Sequence, residues 1–167
     1  QGPFYADGKA NGGAALDLHI HDSDFIQFLF GMPKSVSSVG YSQQTEEVDH
    51  ILTRYEVEGV PLVQAEGAWA MAQGYAFCMQ YTANFEGATA VFNSAAEHAL
   101  TVAQDGENNP VELENAMGYE KEIAYFLDCI RNRREPSRVT MRDAANAVRL
   151  IEAEVQSVRS GAPVSLG

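Results

Sequence analysis

Apolar residues recur at helical spacing near the start of the chain. In residues 12–30 the larger apolar side chains are three, four and seven residues apart, which predicts a partly buried helix. They are Leu18, Phe25, Ile26 and Leu29. A strand of this length without a turn would be unusual, because strands average about 5 or 6 residues. Asn11 is suited to cap the helix, and Gly31 followed by Pro33 is suited to end it.

Two further helices are predicted at the end of the chain. The first covers residues 120–131, and its apolar stripe contains Ile123, Phe126, Leu127 and Ile130. The second begins at a capping-box-like pair, Thr140 and Asp143, and ends at Gly161 before Pro163. Its predicted buried stripe contains Ala144, Val148, Ile151, Val155 and Val158.

Between these helices, apolar and polar residues alternate with the period of two that is typical of strands. Strands are predicted over residues 35–41, 50–58, 63–71, 77–85, 88–94 and 98–102, and residues 105–110 are predicted to form a polar loop. Short turns between successive strands favour antiparallel pairing. We therefore expect an α+β fold, with one mostly antiparallel sheet of about six strands whose one face is covered by the N-terminal helix and the two C-terminal helices.

Both alternating sets of residues in the predicted sheet contain bulky side chains. Leu52 and Val91 lie opposite Tyr55 and Phe92 in the alternation. An antiparallel sheet can leave one face open, and an open face with such residues predicts contact with a second copy in a two-fold dimer.

Composition narrows the class of protein. The 167 residues form one predicted domain, with 46% hydrophobic and 20% charged residues. The net charge of −12 argues against binding nucleic acid or anionic membranes, and no apolar run approaches the roughly 20 residues of a membrane helix. The two cysteines, Cys78 and Cys129, suggest buried thiols in a reducing, cytoplasmic location. The chain opens with Gln1 rather than Met, so we expect a piece of a longer protein.

Candidate chemistry is concentrated in residues 12–24, which hold two of the four histidines. If the segment is helical, Asp17 and His21 stand at i and i+4 on one face. If it is a strand, His19 and His21 share a face, as paired metal ligands do. The simplest interpretation of Asp17 and His21 is a surface ion pair. The paired glycines before them, which allow a close approach to the backbone, favour a functional role.

The string Gly12-Gly13-x-x-x-Asp17-x-x-x-His21-Asp22-x-Asp24 resembles the signature of the Gfo/Idh/MocA oxidoreductase family. Weaker similarities follow in the family's order, at Leu29-Phe30-Gly31-Met32-Pro33, Gln73-Gly74-Tyr75, Glu86-Gly87, Arg142-Asp143-Ala144 and Ile151-Glu152-Ala153. The resemblance implies that this chain is the C-terminal substrate and oligomerisation domain. The family's N-terminal Rossmann domain and its catalytic Lys are missing here, so the chain alone is expected to be inactive.

The resemblance also implies roles for individual residues. His21 would remove a proton from a substrate hydroxyl, because imidazole with an unperturbed pKa of about 6.5 suits a general base. Asp17 would orient its ring. Tyr75 and Trp69 would contact a sugar, cyclitol or other polyol, although a packing role for Trp69 is favoured by its type. NAD or NADP would bind the absent Rossmann domain, with no cofactor or metal in this chain, and the protein would form a homodimer or homotetramer.

Two other interpretations stay open. The string His19-Ile20-His21 also resembles the HxH metal motif of amidohydrolase and PHP phosphoesterase barrels, which would need a strand at this position and further ligands. Alternatively, the chain is a non-catalytic assembly domain. His19, His50 and His98 are expected to be structural. The identity of the substrate, NAD versus NADP and the direction of the reaction are not predicted.

Overall fold

The structure is a computed structural model that describes residues 3–114 and 118–167. The chain divides into two compact units. The first contains the segment that ends at Ala72 together with the segment that resumes at Pro136. The second runs from Gln73 to Glu135.

In chain order, a 3₁₀ turn (Pro3–Ala6) precedes α1 (Gly8–Asn11), α2 (Gly13–Asp17), α3 (Ile20–Phe30), β1 (Ser35–Tyr41), β2 (His50–Val57) and β3 (Val60–Ala68). The next elements are β4 (Gln80–Asn84), β5 (Ala88–Asn93), β6 (Leu100–Gln104), β7 (Glu107–Pro110) and α4 (Gly118–Arg131). The chain ends with α5 (Met141–Ser160) and β8 (Val164–Ser165). None of the described helices is long and apolar enough to cross a membrane.

The first unit is a four-stranded antiparallel sheet, in the order β3-β2-β1-β8, with helices on one face. Its main core cluster joins α3 and α5 to the three long strands and consists of Ile26, Val36, Tyr55, Val63, Leu150 and Ala153. Residues that alternate with the inward set are exposed. Val39 pairs with Leu52 in the register, and the two are 66% and 37% exposed. The sheet therefore has one covered face and one open apolar face within its own unit.

The second unit contains an antiparallel meander, β4-β5-β6-β7, followed in the chain by α4. Tyr81 on β4 pairs with Phe92 on β5, and their rings stack with centroids 5.4 Å apart. Its turn between β6 and β7 has positive φ at both Asp105 and Gly106. Positive φ at both central residues matches the twist of a two-residue hairpin.

Several predictions of local structure are confirmed. The first predicted strand coincides with β1. Thr140 and Asp143 form the predicted capping box, and Gly161 ends α5 in the left-handed conformation. Gly31 follows α3 directly, also with positive φ.

The prediction of a single six-stranded sheet is wrong, since the eight strands among the described residues form two sheets of four. Residues 105–110 are not a loop but the turn and second strand of a hairpin, which lacked the alternating apolar residues that would have predicted a strand. The last strand, β8, was not predicted because two residues carry no periodicity. Of the three helices predicted to share one sheet face, α4 belongs to the second unit.

The buried stripe of α5 is rotated from the predicted one. Val148 is 41% exposed, and Ala144 is exposed as well. The buried positions are Ala147, Leu150, Ile151, Ala153, Glu154 and Ser157. Two of these are polar, so a stripe drawn from apolar residues alone could not find the correct face.

Candidate functional site

The predicted helix over residues 12–30 is broken in two, and the break lies beside the predicted site. Gly12 and Gly13 both have positive φ, so Gly12 and not Asn11 occupies the N-cap position of α2. Asn11 contributes differently, since its Oδ1 accepts a hydrogen bond of 2.7 Å from the Gly13 N–H. A Cβ at Gly13 would lie 2.6 Å from the Val48 carbonyl oxygen. Gly13 therefore admits the chain's own backbone.

The break between α2 and α3 falls at Leu18 and His19. The N–H groups of both residues donate to the Ala14 carbonyl, at 3.0 and 2.8 Å. The His21 N–H then donates to the Leu18 carbonyl at 3.2 Å, a tighter pattern than an α-helix has. The prediction that Asp17 and His21 share one turn of a continuous helix is therefore wrong.

Asp17 and His21 lie on either side of this break. Asp17 is the last residue of α2 and is half-buried, whereas His21 is the second residue of α3 and is exposed. Two shallow surface depressions, one beside α1 and α5 and one at the β4–β5 and β6–β7 turns, are lined by other residues. Both residues belong to the first unit.

His19 faces the opposite way and is fully buried. Its Nε2 lies 3.0 Å from Oε2 of Glu154 and 3.3 Å from the Tyr55 hydroxyl, and its Nδ1 lies 3.2 Å from Oδ2 of Asp22. Burial opposes the charged form of His19, but the hydrogen bonds and charges of Asp22 and Glu154 outweigh it and raise the pKa of His19 to about 9. At neutral pH both ring nitrogens therefore donate to carboxylates.

Glu154 is the centre of a buried polar network around His19. The hydroxyls of Ser23 and Thr53 donate to its two oxygens at 2.9 and 3.0 Å. The Tyr55 hydroxyl lies 3.0 Å from Ser23 Oγ, and burial together with the Glu154 charge raises the pKa of Tyr55 well above its ordinary value. All these donors converge on one carboxylate, which satisfies its buried oxygens.

Trp69, predicted as a candidate for stacking on a sugar, is only 8% exposed. Its Nε1 donates to Asp49 Oδ1 at 2.8 Å, and its ring makes an edge contact with Tyr5. Asp49 also accepts hydrogen bonds from the backbone of Gln43 and Thr45, which hold the pKa of its carboxyl well below its usual range despite burial. This environment favours the packing role for Trp69.

Three more residues were singled out from the sequence, namely Tyr75, His50 and His98. Tyr75 belongs to the second unit and is 65% exposed, so its contact with substrate stays a prediction. His50 bonds to the Tyr41 hydroxyl at 3.0 Å and to Glu66 at 2.7 Å, in keeping with a structural role. His98 is exposed just before β6.

The geometry of His19 and His21 does not fit the HxH metal motif. One ring is fully buried with both nitrogens facing carboxylates, while the other is exposed. Within residues 3–114 and 118–167, no three His, Cys, Asp or Glu side chains are grouped so that they could hold a metal ion. The strand that this motif requires is also replaced by α2 and α3.

The sequence analysis did not identify Glu154 or its partnership with His19. A signal was present, since Glu154 stands three and four residues after Ile151 and Leu150, which places it on the apolar face of the helix. Charged residues are rarely fully buried unless they are paired. The partners of Glu154 could not be predicted, because they are distant from it in the chain. Ser23, for example, is 131 positions away.

The chain resembles several known oxidoreductases, in sequence and in fold. The chain is 26% identical over 169 residues to scyllo-inositol 2-dehydrogenase (NAD(+)) of Bacillus subtilis, covering 95% of this chain and 49% of that protein. The apo form of levoglucosan dehydrogenase superposes with a TM-score of 0.80 at 16% identity, over 93% of this chain and 52% of that one. Aldose-aldose oxidoreductase from Caulobacter crescentus gives a TM-score of 0.77 at 20% identity, over 93% and 48%.

The chain therefore spans about half the length of the relatives it matches. The family of GFO/IDH/MocA C-terminal domains matches residues 1–94, which is more than half of the 167 residues. On this evidence the chain belongs to the GFO/IDH/MocA C-terminal domain family.

Proposed function

We propose that this chain is the substrate-binding and oligomerisation part of an NAD(P)-dependent dehydrogenase that acts on a sugar, cyclitol or related polyol. The observation that carries the proposal is the exposure of His21 in a member of this family. Of the two nearby histidines, His19 is buried and engaged by carboxylates, whereas His21 is exposed, and Asp17, four positions before it, is half-buried. The relative from Bacillus subtilis, named as a cyclitol dehydrogenase that uses NAD(+), supports the class of substrate.

The proposed chemistry needs a base for a hydroxyl proton. His21 accepts the O–H proton of the substrate while the carbon that bears this oxygen loses hydride, so that a carbonyl forms and no charge is left on oxygen. Asp17 orients the imidazole and stabilises the imidazolium that results. An exposed imidazole is free to meet a substrate from the solvent side, which His19 cannot do.

The residues of this chain do not fit a dinucleotide site. No GxGxxG sequence occurs anywhere in it, and such a loop is what holds a pyrophosphate after a strand. The nicotinamide would supply the hydride acceptor when bound elsewhere in the full-length protein.

The direct test is turnover by the full-length protein. Purified protein with NAD+ or NADP+ is offered scyllo-inositol, levoglucosan and UDP-N-acetylglucosamine, and reduced nicotinamide is followed by its absorbance. We expect turnover of at least one, and a decrease in kcat of about 10²–10⁴ for His21→Ala, which is the usual contribution of a general base. Turnover that survives His21→Ala unchanged would contradict the assignment.

We further propose that the open face of the first sheet is covered by a second copy of the chain. Val39 and Leu52 lie side by side on that face, exposed to 66% and 37%, and Leu62 is 63% exposed on the neighbouring strand β3. Exposed apolar patches of this kind mark interfaces more often than free surface. A two-fold dimer would bury both copies of the patch at once.

Sedimentation velocity of the full-length protein at tens of micromolar tests this assembly. The unmodified protein is expected to sediment as a dimer or a larger assembly, and Leu52→Lys is expected to reduce its mass. Val148→Lys is the matched control, because Val148 is a similarly exposed apolar residue on α5. A monomeric unmodified protein would contradict the proposal.

A further inference from the structure

We propose that the buried His19–Glu154 pair is a positioning device that fixes the first turn of α3, and thereby the place of His21. The inference rests on the proposed function, because it takes His21 to be the base. His19 and Glu154 would be positioning residues, since neither reaches the surface where a substrate could bind.

The contacts tie α3 to a distant element of the same unit. The His19 and Glu154 side chains are both fully buried, and Nε2 lies 3.0 Å from Oε2. Glu154 is on α5, which also packs against β1 and supplies Leu150 to the core. The pair therefore links the break between α2 and α3 to the rigid centre of the unit.

Ser23 provides a second anchor one turn further along α3. It is fully buried and donates to the other oxygen of Glu154 at 2.9 Å. His21 lies midway between these two inward residues, and successive residues of an α-helix are about 100° apart. A residue two positions from each anchor must therefore face outward, as His21 does.

Gly67 supplies independent evidence that the placement of His19 is built into the sheet. A Cβ at Gly67 on β3 would lie 2.7 Å from the His19 Cβ and 2.8 Å from its Nδ1. The first of these contacts involves an atom fixed to the backbone, so it could not be relieved by rotating the ring. The strand thus leaves a space of the size that His19 requires.

A charged pair also defines geometry more sharply than an apolar contact would. Buried ion pairs often add little net stability compared with apolar replacements of similar volume, whereas their hydrogen bonds are directional. Here the carboxylate has three donors, His19, Ser23 and Thr53, which approach from two elements. Such a network restricts the start of α3 to one arrangement.

The test uses Glu154→Gln and Gly67→Ala in the full-length protein, with the most rapidly oxidised compound of the panel above. Glu154→Gln removes the charge of the carboxylate and keeps the volume of the side chain. Gly67→Ala displaces His19 and removes no polar group. Each is expected to decrease kcat by about 10–100-fold, because small displacements of a catalytic group cost up to about 10²-fold. The KM for NAD+ should change less than twofold.

Two matched controls separate positioning from loss of stability. Ile151→Val removes one methylene from the core on the same helix, and Gly87→Ala adds a methyl group where no atom lies within 4 Å. Both should keep kcat within twofold at temperatures well below unfolding. If Glu154→Gln and Gly67→Ala also kept kcat within twofold while His21→Ala abolished it, the positioning role would be wrong and the proposed function would stand.

A crystal structure of Gly67→Ala gives a readout that does not depend on a substrate or on the solubility of Glu154→Gln. We expect the His21 Cα to move by more than the roughly 0.5 Å within which catalytic groups are held, relative to the β1–β3 sheet. A smaller displacement would overturn the inference. If no panel compound is turned over, the proposed function is what fails, and this structural result still decides the positioning role.

Discussion

At the α2–α3 junction one histidine, His19, points inward and is buried, and a second, His21, is exposed on the outward side. We expect the two to have different roles. Inside, His19 is fully buried and held by Glu154 and Asp22. Outside, His21 is exposed, and Asp17 at the end of α2 is half-buried. The buried His19 is thus a fixed charge, whereas the exposed His21 is a candidate base. This difference follows from their burial.

The largest effect on stability is expected from breaking the inward pair. His19→Leu leaves the Glu154 carboxylate buried without its cationic partner, and losing one member of such a pair costs about 3–5 kcal/mol. Chemical denaturation of the full-length protein measures this cost. His21→Leu is the matched control, and an exposed substitution should stay within about 0.5 kcal/mol. Equal losses of stability in His19→Leu and His21→Leu would contradict the claim that only the buried histidine supports the fold.

The inward pair should also make stability depend on pH. The pKa of His19 in the folded protein is about 9, above the ordinary histidine value of 6.5. Its contribution is therefore fully present below pH 6.5 and is lost as pH rises through 9. At about 1.4 kcal/mol per pKa unit the loss amounts to about 3 kcal/mol. Denaturation midpoints measured from pH 6 to 10 should fall across this window, and the fall should be absent in His19→Gln.

A smaller effect is expected from the outward carboxylate. Asp17→Asn keeps the shape of the side chain and removes the charge that would stabilise the imidazolium of His21. We expect kcat to decrease about 10-fold, less than for His21→Ala, since the base itself remains. Steady-state kinetics of the full-length protein gives the value. A decrease larger than that of His21→Ala would assign Asp17, and not His21, as the base.

The comparison also shows which features could be predicted from the sequence. Local chemistry was sufficient for Thr140 and Asp143 in the capping box of α5 and for Gly161 after it. The inward pair could not be found in this way, because His19 and Glu154 are far apart in the chain and meet only in the folded unit. The break at Leu18 was hidden as well, because the helical spacing of the apolar residues continues past it.

Asp17 and His21 were predicted as a pair from their i and i+4 spacing and from the family resemblance. The spacing assumed a continuous helix, whereas α2 ends at Asp17. His21 lies beyond the break, on α3, so the resemblance is what still supports the pair. Tyr75 was also predicted from the resemblance, but it lies in the second unit whereas His21 lies in the first. Its contact with a substrate therefore stays a prediction.

The most direct test of the account measures kcat and the thermal midpoint together for His21→Ala in the full-length protein. The account predicts that kcat falls by about 10²–10⁴ while the midpoint moves by no more than an exposed substitution allows, about 0.5 kcal/mol in free energy. An unchanged kcat, or a loss of stability as large as that of His19→Leu, would contradict the claim that the outward histidine is the base and the inward one its support.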